Sequence, residues 1–392
     1  MDAPFLAPLF EPFQLKHLKL RNRFVMPAMQ MGHVLNSKPA PEAAEYMRRC
    51  AEGGVSLIIS EGCAPEHPSS HWQPIFCVLD TEAFEGWKRV VDAVKTAGAH
   101  FFMQLWHPGA IRLPVRGMPH TDYPSLSPSG LIQAGRPNGR AATLMELEDL
   151  KAAFVTAAER SKSIGADGVE IHSCHGYFLD QFLWSQTNQR EDRYGGSTVA
   201  ERARYAAEIV SAIRSAVGDD FCISYRYSQF KEVDYGAKTF ASPDELGDFL
   251  GLLADSGVDC FNVSSRRFYQ PEWPDIDPNL GFAGWSKKNT NRPVITCGSV
   301  GLSADMCQDA FDNAEVFDRS AADLLELRRR FLLNEFDLAA VGRMHIANAD
   351  LVKKIKSGKT NEIKLYSKTI HLAHLLKFYE GGPVEDKRVV AD

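Results

Sequence analysis

The chain alternates short, almost uninterrupted apolar runs with longer stretches in which apolar residues recur every three or four positions. Eight of the short runs are rich in Val, Ile and Phe, at Val25, 57–59, 101–103, 169–171, 222–224, 261–263, 294–296 and 338–340. Each is too short for a helix, and several are apolar at successive positions, as strands covered on both faces must be. The longer stretches, at 42–51, 81–97, 146–164, 199–217, 243–256 and 321–333, predict amphipathic helices. Several end in glycine followed at once by the next apolar run, as in AEGGVSLII, KTAGAHFFM, KSIGADGVEI and ADSGVDCFNV. Eight strands with helices between them predict an α/β fold, a single (β/α)8 TIM barrel.

Length and composition narrow this further. A barrel needs about 250 residues, and the chain has 392. The surplus falls in loops rather than behind a linker: a Pro/Gly/Ser-rich segment at 107–145, expected to cap the barrel mouth, an aromatic-rich segment at 266–291, and a delay at 301–320. The expected organisation is one barrel over 1–380 with long capping loops and a polar tail at 381–392. With 44% apolar and 24% charged residues the chain is a globular protein, not a disordered one. A net charge of -6 lacks the basic footprint of a nucleic-acid binder. No apolar window reaches the roughly 18 residues of a membrane helix, and the start has no basic-then-apolar secretory pattern. A cytoplasmic protein is expected, acting on a small molecule without nucleic acid or membrane, with homo-oligomerisation left open. The eight cysteines contain no CxxC pair and read as buried reduced thiols.

In such a barrel the chemistry sits at the carboxyl ends of the strands. Strands seven and eight end in Cys297-Gly298-Ser299 and Val341-Gly342-Arg343, the two places where such barrels commonly hold a phosphate. Gln104 and Arg226 end strands three and five on opposite sides of the mouth. Together they suit a heterocycle with amide-like edges that becomes anionic; a capping Gln and an ion-paired Arg are the plainer alternative. The densest polar cluster follows strand four, with His172, His175 and Tyr177. It admits three readings: a metal site with Cys174, a pair of structural histidines, or two donors gripping an oxygen while the phenol delivers a proton. No carboxylate or third histidine stands beside them at helical spacing, so no metal is expected.

These residues resemble a known family. The run HSCHGYFLDQFLWSQTNQREDRYGGS (172–197) is similar to the signature of the old yellow enzyme family of FMN-dependent ene-reductases, and is long enough to be specific. LFEPFQLKHLKLRNRFVMPAM (9–29), AEGGVSLIISEG (51–62), QLWHPG (104–109), SYRYS (224–228) and VGR (341–343) match in order. The resemblance implies a barrel with noncovalent FMN at the strand ends, reduced by NADPH or NADH. It further implies ping-pong reduction of activated C=C bonds, such as those of α,β-unsaturated carbonyls. It assigns Pro27, Ala28, Met29 and Gly62 to the flavin ring, Gln104 to its pyrimidine edge, and Arg226 to the charge it gains on reduction. Gly298, Ser299, Gly342 and Arg343 would hold the phosphate. His172 and His175 would bind the substrate oxygen, and Tyr177 would protonate the α-carbon.

The sequence also departs from the family. Gln30 stands where relatives usually have Cys, Thr or His beside the flavin, and its amide could still donate to the ring. An Arg of the family's QLxHAGR is replaced by Ala110, with Arg112 nearby to serve instead. Trp106 could supply an apolar wall for substrate. Some relatives carry an iron–sulfur extension; without clustered cysteines, direct reduction by NAD(P)H is the expectation. The alternative is an FMN-dependent dehydrogenase, demethylase or isomerase of a specialised amine or cyclic catabolite. A flavin-binding protein without turnover is disfavoured by the intact His/His/Tyr set.

Overall fold

The computed structural model describes residues 3–114, 116–310 and 314–371; the expected tail at 381–392 lies outside them. Eight parallel strands close into a barrel: β1 (Phe24–Met26), β2 (Leu57–Pro65), β3 (His100–Leu105), β4 (Gly168–His175), β5 (Cys222–Lys231), β6 (Cys260–Ser264), β7 (Val294–Cys297) and β8 (Leu338–Ala340). Closure is made by Val25, which aligns with Leu57 on one side while its neighbouring pair in β8 is Ala340. All eight apolar runs of the sequence therefore lie in barrel strands. A short segment, Cys77–Leu79, adds to the outer end of β2.

A helix follows each strand: α1 (Pro41–Glu52), α2 (Thr81–Thr96), α3 (Leu144–Ser163), α4 (Arg204–Val217), α5 (Pro243–Ser256), α6 (Phe282–Asn289), α7 (Ser320–Leu332) and α8 (Leu351–Lys356). Their starts are written in the sequence. Asp80 caps α2 through Ala83 N–H, Thr143 and Glu146 form a capping box on α3, and Ser242 caps α5 ahead of Pro243. The helix expected over 199–217 divides at Ala203, because Thr198 and Glu201 cap a separate turn, Val199–Arg202. Helix α6 was not expected. Its aromatics, with Trp273, pack into the main core between helices and barrel: Trp273 lies 5.8 Å from Trp285, and Phe282 lies 5.6 Å from Tyr227 of β5, centroid to centroid. That loop aims none of them at the mouth as a substrate wall.

The barrel interior is layered. At the bottom, Val25, Leu57, Phe102, Cys222, Cys260, Ile295 and Leu338 form an apolar layer. The hairpin Phe13–Leu15/Leu18–Leu20 presses Leu15, Leu18 and Leu20 into the same cluster and plugs this end. Gly168 admits the Phe102 ring, since a Cβ there would lie 2.7 Å from it and 2.5 Å from Cys222 O. Going up, the inward positions of β3 to β6 turn polar, at Gln104, Glu170, His172, Ser224, Arg226, Asn262 and Ser264. The seven cysteines with described side chains are free thiols, six of them buried. Among the described residues no helix is long and apolar enough to cross a membrane.

Candidate active site

The first polar layer is organised by Glu170, which lies between Gln104 and Ser224 in register and is fully buried. Its carboxylate accepts from Gln104 Nε2 (2.8 Å), Asn262 Nδ2 (2.7 Å) and Ser224 Oγ (3.2 Å). A buried carboxylate is stable only with such partners. The consequence is a Gln104 amide held in one orientation, its nitrogen down on Glu170 and its oxygen left for the mouth. The strand period of two could have shown Glu170 and Asn262, which sit two residues below His172 and Ser264; the sequence reading passed over both.

The next layer contains His172, Arg226, Ser264 and Cys297. Arg226 aligns with His172 and donates weakly to Ala28 O (3.4 Å) and Ser264 Oγ (3.3 Å), while its buried Nε has no partner among the described residues. His175 Nε2 lies 2.9 Å from Ser264 Oγ. Burial, reinforced by the Arg226 guanidinium, pushes His172 down to about 3 and His175 well below the ordinary imidazole range. Both rings are therefore neutral at physiological pH, and each carries a single N–H. His172, Cys174 and His175 also bring ligand atoms within 4.8 Å of one another. Yet Cys174 Sγ is 3.5 and 3.8 Å from the two His172 nitrogens, beside the ring rather than along a lone pair. The cationic Arg226 adds to the case against a metal there.

Tyr177 is placed by a sharp turn. His175 (φ 65°) and Gly176 (φ 87°) are both left-handed, a cost for a non-glycine residue that the surroundings offset. His175 N–H donates to Ser228 Oγ (3.1 Å) and its carbonyl accepts from Glu232 N–H (3.0 Å); Gly176 N–H donates to Asp180 Oδ2 (2.7 Å). Asp180 is paired with Lys231 at 2.6 Å, both side chains fully buried. The turn brings the phenol back over the mouth, where its O–H donates to Glu232 Oε2 at 3.0 Å. Trp106 meets Tyr177 edge-on at 5.2 Å and continues a stack through Phe76 (5.2 Å) to Trp72 (4.7 Å). Trp72, Phe76 and Glu232 were missed in the sequence because no motif flags them.

Residues 27–29 run between Arg226, through Ala28 O, and Gly342, where a Cβ would meet Met29 Sδ at 3.0 Å. At Gly62 any Cβ would sit 3.2 Å from Gln104 Oε1 and cover it. Ser299 and Arg343 are brought together (Arg343 Nη2 to Ser299 Oγ, 3.2 Å), beside Gly298 and Gly342. Arg343 also meets Asp309 at 3.1 Å and the carbonyls of Ala304 and Asp305, all from the 301–320 segment. Two positions bear on the departures from the family pattern. Gln30 spends an amide hydrogen on Ile75 O, tying β1 to the Trp72/Phe76 loop. Arg112 is fully buried and donates to the carbonyls of His71, His120 and Tyr123, so it braces the cap and does not replace the missing Arg.

An eight-stranded parallel barrel with a polar upper layer and glycine-lined ends on β7 and β8 defines a barrel enzyme that takes a phosphorylated cofactor. The profile of the NADH:flavin oxidoreductase / NADH oxidase family matches residues 8–362, and the chain belongs to that family. It is 36% identical to 12-oxophytodienoate reductase 7 of Oryza sativa subsp. japonica, over 89% of this chain and 88% of that one. It is 31% identical to the NADH oxidase of Thermoanaerobacter brockii over 91% of its length, spanning about half (52%) of that longer protein. A structure of morphinone reductase in complex with tetrahydroNAD superposes with a TM-score of 0.72 at 26% identity, covering 92% of each chain. Old Yellow Enzyme from Pichia sp. AKU4542, at 24% identity and a TM-score of 0.74 over 93% and 90%, shares the fold. The chain thus carries the FMN-binding oxidoreductase barrel of that family. The donor set fits that cofactor: an unpartnered Arg226 Nε and an oriented Gln104 oxygen suit an anionic edge beside an N–H, and Gly62 leaves their approach open.

Proposed function

We propose that this chain reduces activated C=C bonds, those conjugated to a carbonyl or a related electron-withdrawing group, by a ping-pong reaction with NAD(P)H. The observation that carries the reading is the convergence of two neutral imidazoles and a phenol over the same mouth as Arg226 and Gln104. FMN, when bound, supplies the redox chemistry, taking hydride from NAD(P)H and giving it to the alkene β-carbon. Gln104 and Arg226 hold its polar edge, residues 27–29 and Gly62 line its ring, and Ser299, Arg343, Gly298 and Gly342 hold its phosphate. His172 and His175 donate hydrogen bonds to the substrate oxygen, where negative charge builds as the β-carbon is attacked. They do so as neutral rings, since burial and Arg226 hold both imidazoles below their ordinary range. Tyr177 gives its proton to the α-carbon. Trp106, Phe76 and Trp72 form a flat apolar wall that excludes water and favours planar substrates. The described chain, its 107–145 cap included, acts as one unit in this reading.

Anaerobic stopped-flow with NADPH and then cyclohexenone tests the assignment. Tyr177→Phe is expected to slow reoxidation by the enone by about 10²-fold or more, with flavin reduction almost unchanged. Equal loss in both halves would remove Tyr177 from the role of acid.

A further inference from the structure

Strand β5 does not stop at the barrel mouth. It continues for five residues beyond Arg226, and its last pair sets Lys231 against His175. At this outer end the side chains part. Lys231 turns inward to Asp180 and Thr239. Glu232 turns to the opposite side, over Tyr177 and His175: its Oε2 is 3.0 Å from the Tyr177 hydroxyl and its Oε1 is 3.7 Å from His175 Nδ1. Its own N–H donates to the His175 carbonyl, so backbone and side chain are fixed together. The groups acting on this carboxyl are Tyr177 and His175 from the β4 end, Cys174 behind them, and Arg226 from lower on β5. The Glu232 side chain keeps 19% of its surface exposed, so the residue stands at the rim of the site.

This contact conflicts with a simple acid role for Tyr177. A phenol has one hydrogen, and here it is directed at Glu232, not into the mouth. The conflict disappears when the carboxyl is in its acid form, because the carboxylic O–H can then donate to the phenol oxygen and release the phenol's hydrogen toward substrate.

We propose that Glu232 is the proton-relay partner of Tyr177. The proposal rests on the ene-reductase reading above. In the relay the Tyr177 O–H bond breaks as a C–H bond forms at the substrate α-carbon, and the Glu232 O–H bond breaks as its proton passes to the Tyr177 oxygen. The carboxylate left behind takes a proton from water at the rim, and no electrons move through either residue. Burial, opposed by the Tyr177 hydrogen bond and by Arg226, pushes the carboxyl up to about 7, so acid and base forms coexist at neutral pH. Transfer from such a carboxyl to a phenolate runs downhill, since a phenol ordinarily titrates near pH 10. Glu232 does not touch the reacting atoms; it is a positioning residue acting through Tyr177.

The test follows enone reoxidation of the reduced holoenzyme from about pH 5.5 to about pH 9, with NADPH-driven reduction as the internal control. In the wild type the reoxidation rate should fall by about tenfold per unit above a midpoint near 7, as a required acid form is lost. Glu232→Gln, which keeps the hydrogen bond without the proton, should be slow and flat across that range, and Glu232→Asp should restore a step at a shifted midpoint. An independent readout is infrared titration of the carboxylic C=O stretch, with a component near pH 7 that vanishes in Glu232→Gln. A Gln variant that keeps the wild-type step, or a wild type without one, overturns the relay. Reoxidation of Tyr177→Phe at the wild-type rate overturns instead the ene-reductase acid on which the relay rests.

Discussion

Glu61 stands one residue before Gly62, wholly buried, and neither of its carboxylate oxygens has a partner among the described residues. Burial alone pushes it up to about 8, so it is a neutral acid at pH 7. The sign follows from linkage: the folded state holds this proton up to about pH 8, whereas the unfolded chain releases it near its ordinary value of about 4.3. Stability from this group is complete below the unfolded value and is lost as pH rises through 8. Glu61→Gln should therefore gain stability over the wild type by more at pH 9 than at pH 5. Denaturant midpoints at the two values measure it, and a pH-independent difference would show that Glu61 is ionised or hydrated in the fold. Glu170 is the contrast. It is just as buried, but three donors meet its oxygens, and through it Gln104 is oriented.

The turn after β4 and the overrun of β5 are fastened to each other by Lys231 and Asp180. Removing one member of such a pair leaves the other charge buried and alone, which costs about 3–5 kcal/mol. Asp180→Ala should lower unfolding free energy by that order, as urea denaturation would show. It should also loosen Tyr177, because Asp180 receives the Gly176 N–H as well. Asp180→Asn keeps one acceptor oxygen and turns an amide NH2 toward the other donor, so it should retain one of the two bonds and do less damage; equal loss in both variants would mean that the carboxylate charge, not its geometry, holds the turn. These elements also mark how far sequence could lead. The barrel strands were legible because strands covered on both faces must be apolar, and glycines punctuate their starts. Gln104, Arg226, His172, His175 and Tyr177 were legible because position past a strand end is nearly a statement of location. Helix α6 was not, since its short span is held by ring packing with no regular polar face. Glu232 was not, because the apolar run of β5 predicts where that strand begins and not that it outlasts the barrel by five residues. Arg112 misled for a related reason: closeness in sequence to a motif position says nothing about which way a loop turns.

At the scale of the whole molecule, the apolar layer inside the barrel closes one end. The Leu15/Leu18/Leu20 plug seals the floor, and the first inward residue of nearly every strand completes it. The polar layers lie above, and the capping loops stand around the opening.

A sealed floor has a consequence for traffic. If the proposed reaction runs here, a vessel with one door admits its two reactants in turn, so the organic product and the oxidised nicotinamide must each leave before the other reactant can enter. Under the proposed reaction, an electron-poor alkene in excess would occupy the mouth of the oxidised protein and keep the nicotinamide out. Steady-state rates should pass through a maximum as enone concentration rises, and the inhibition should be relieved competitively by more NADPH. Inhibition that extra NADPH cannot relieve would mean that the two reactants reach the centre by separate entrances, and that the plug is not the seal it forms here.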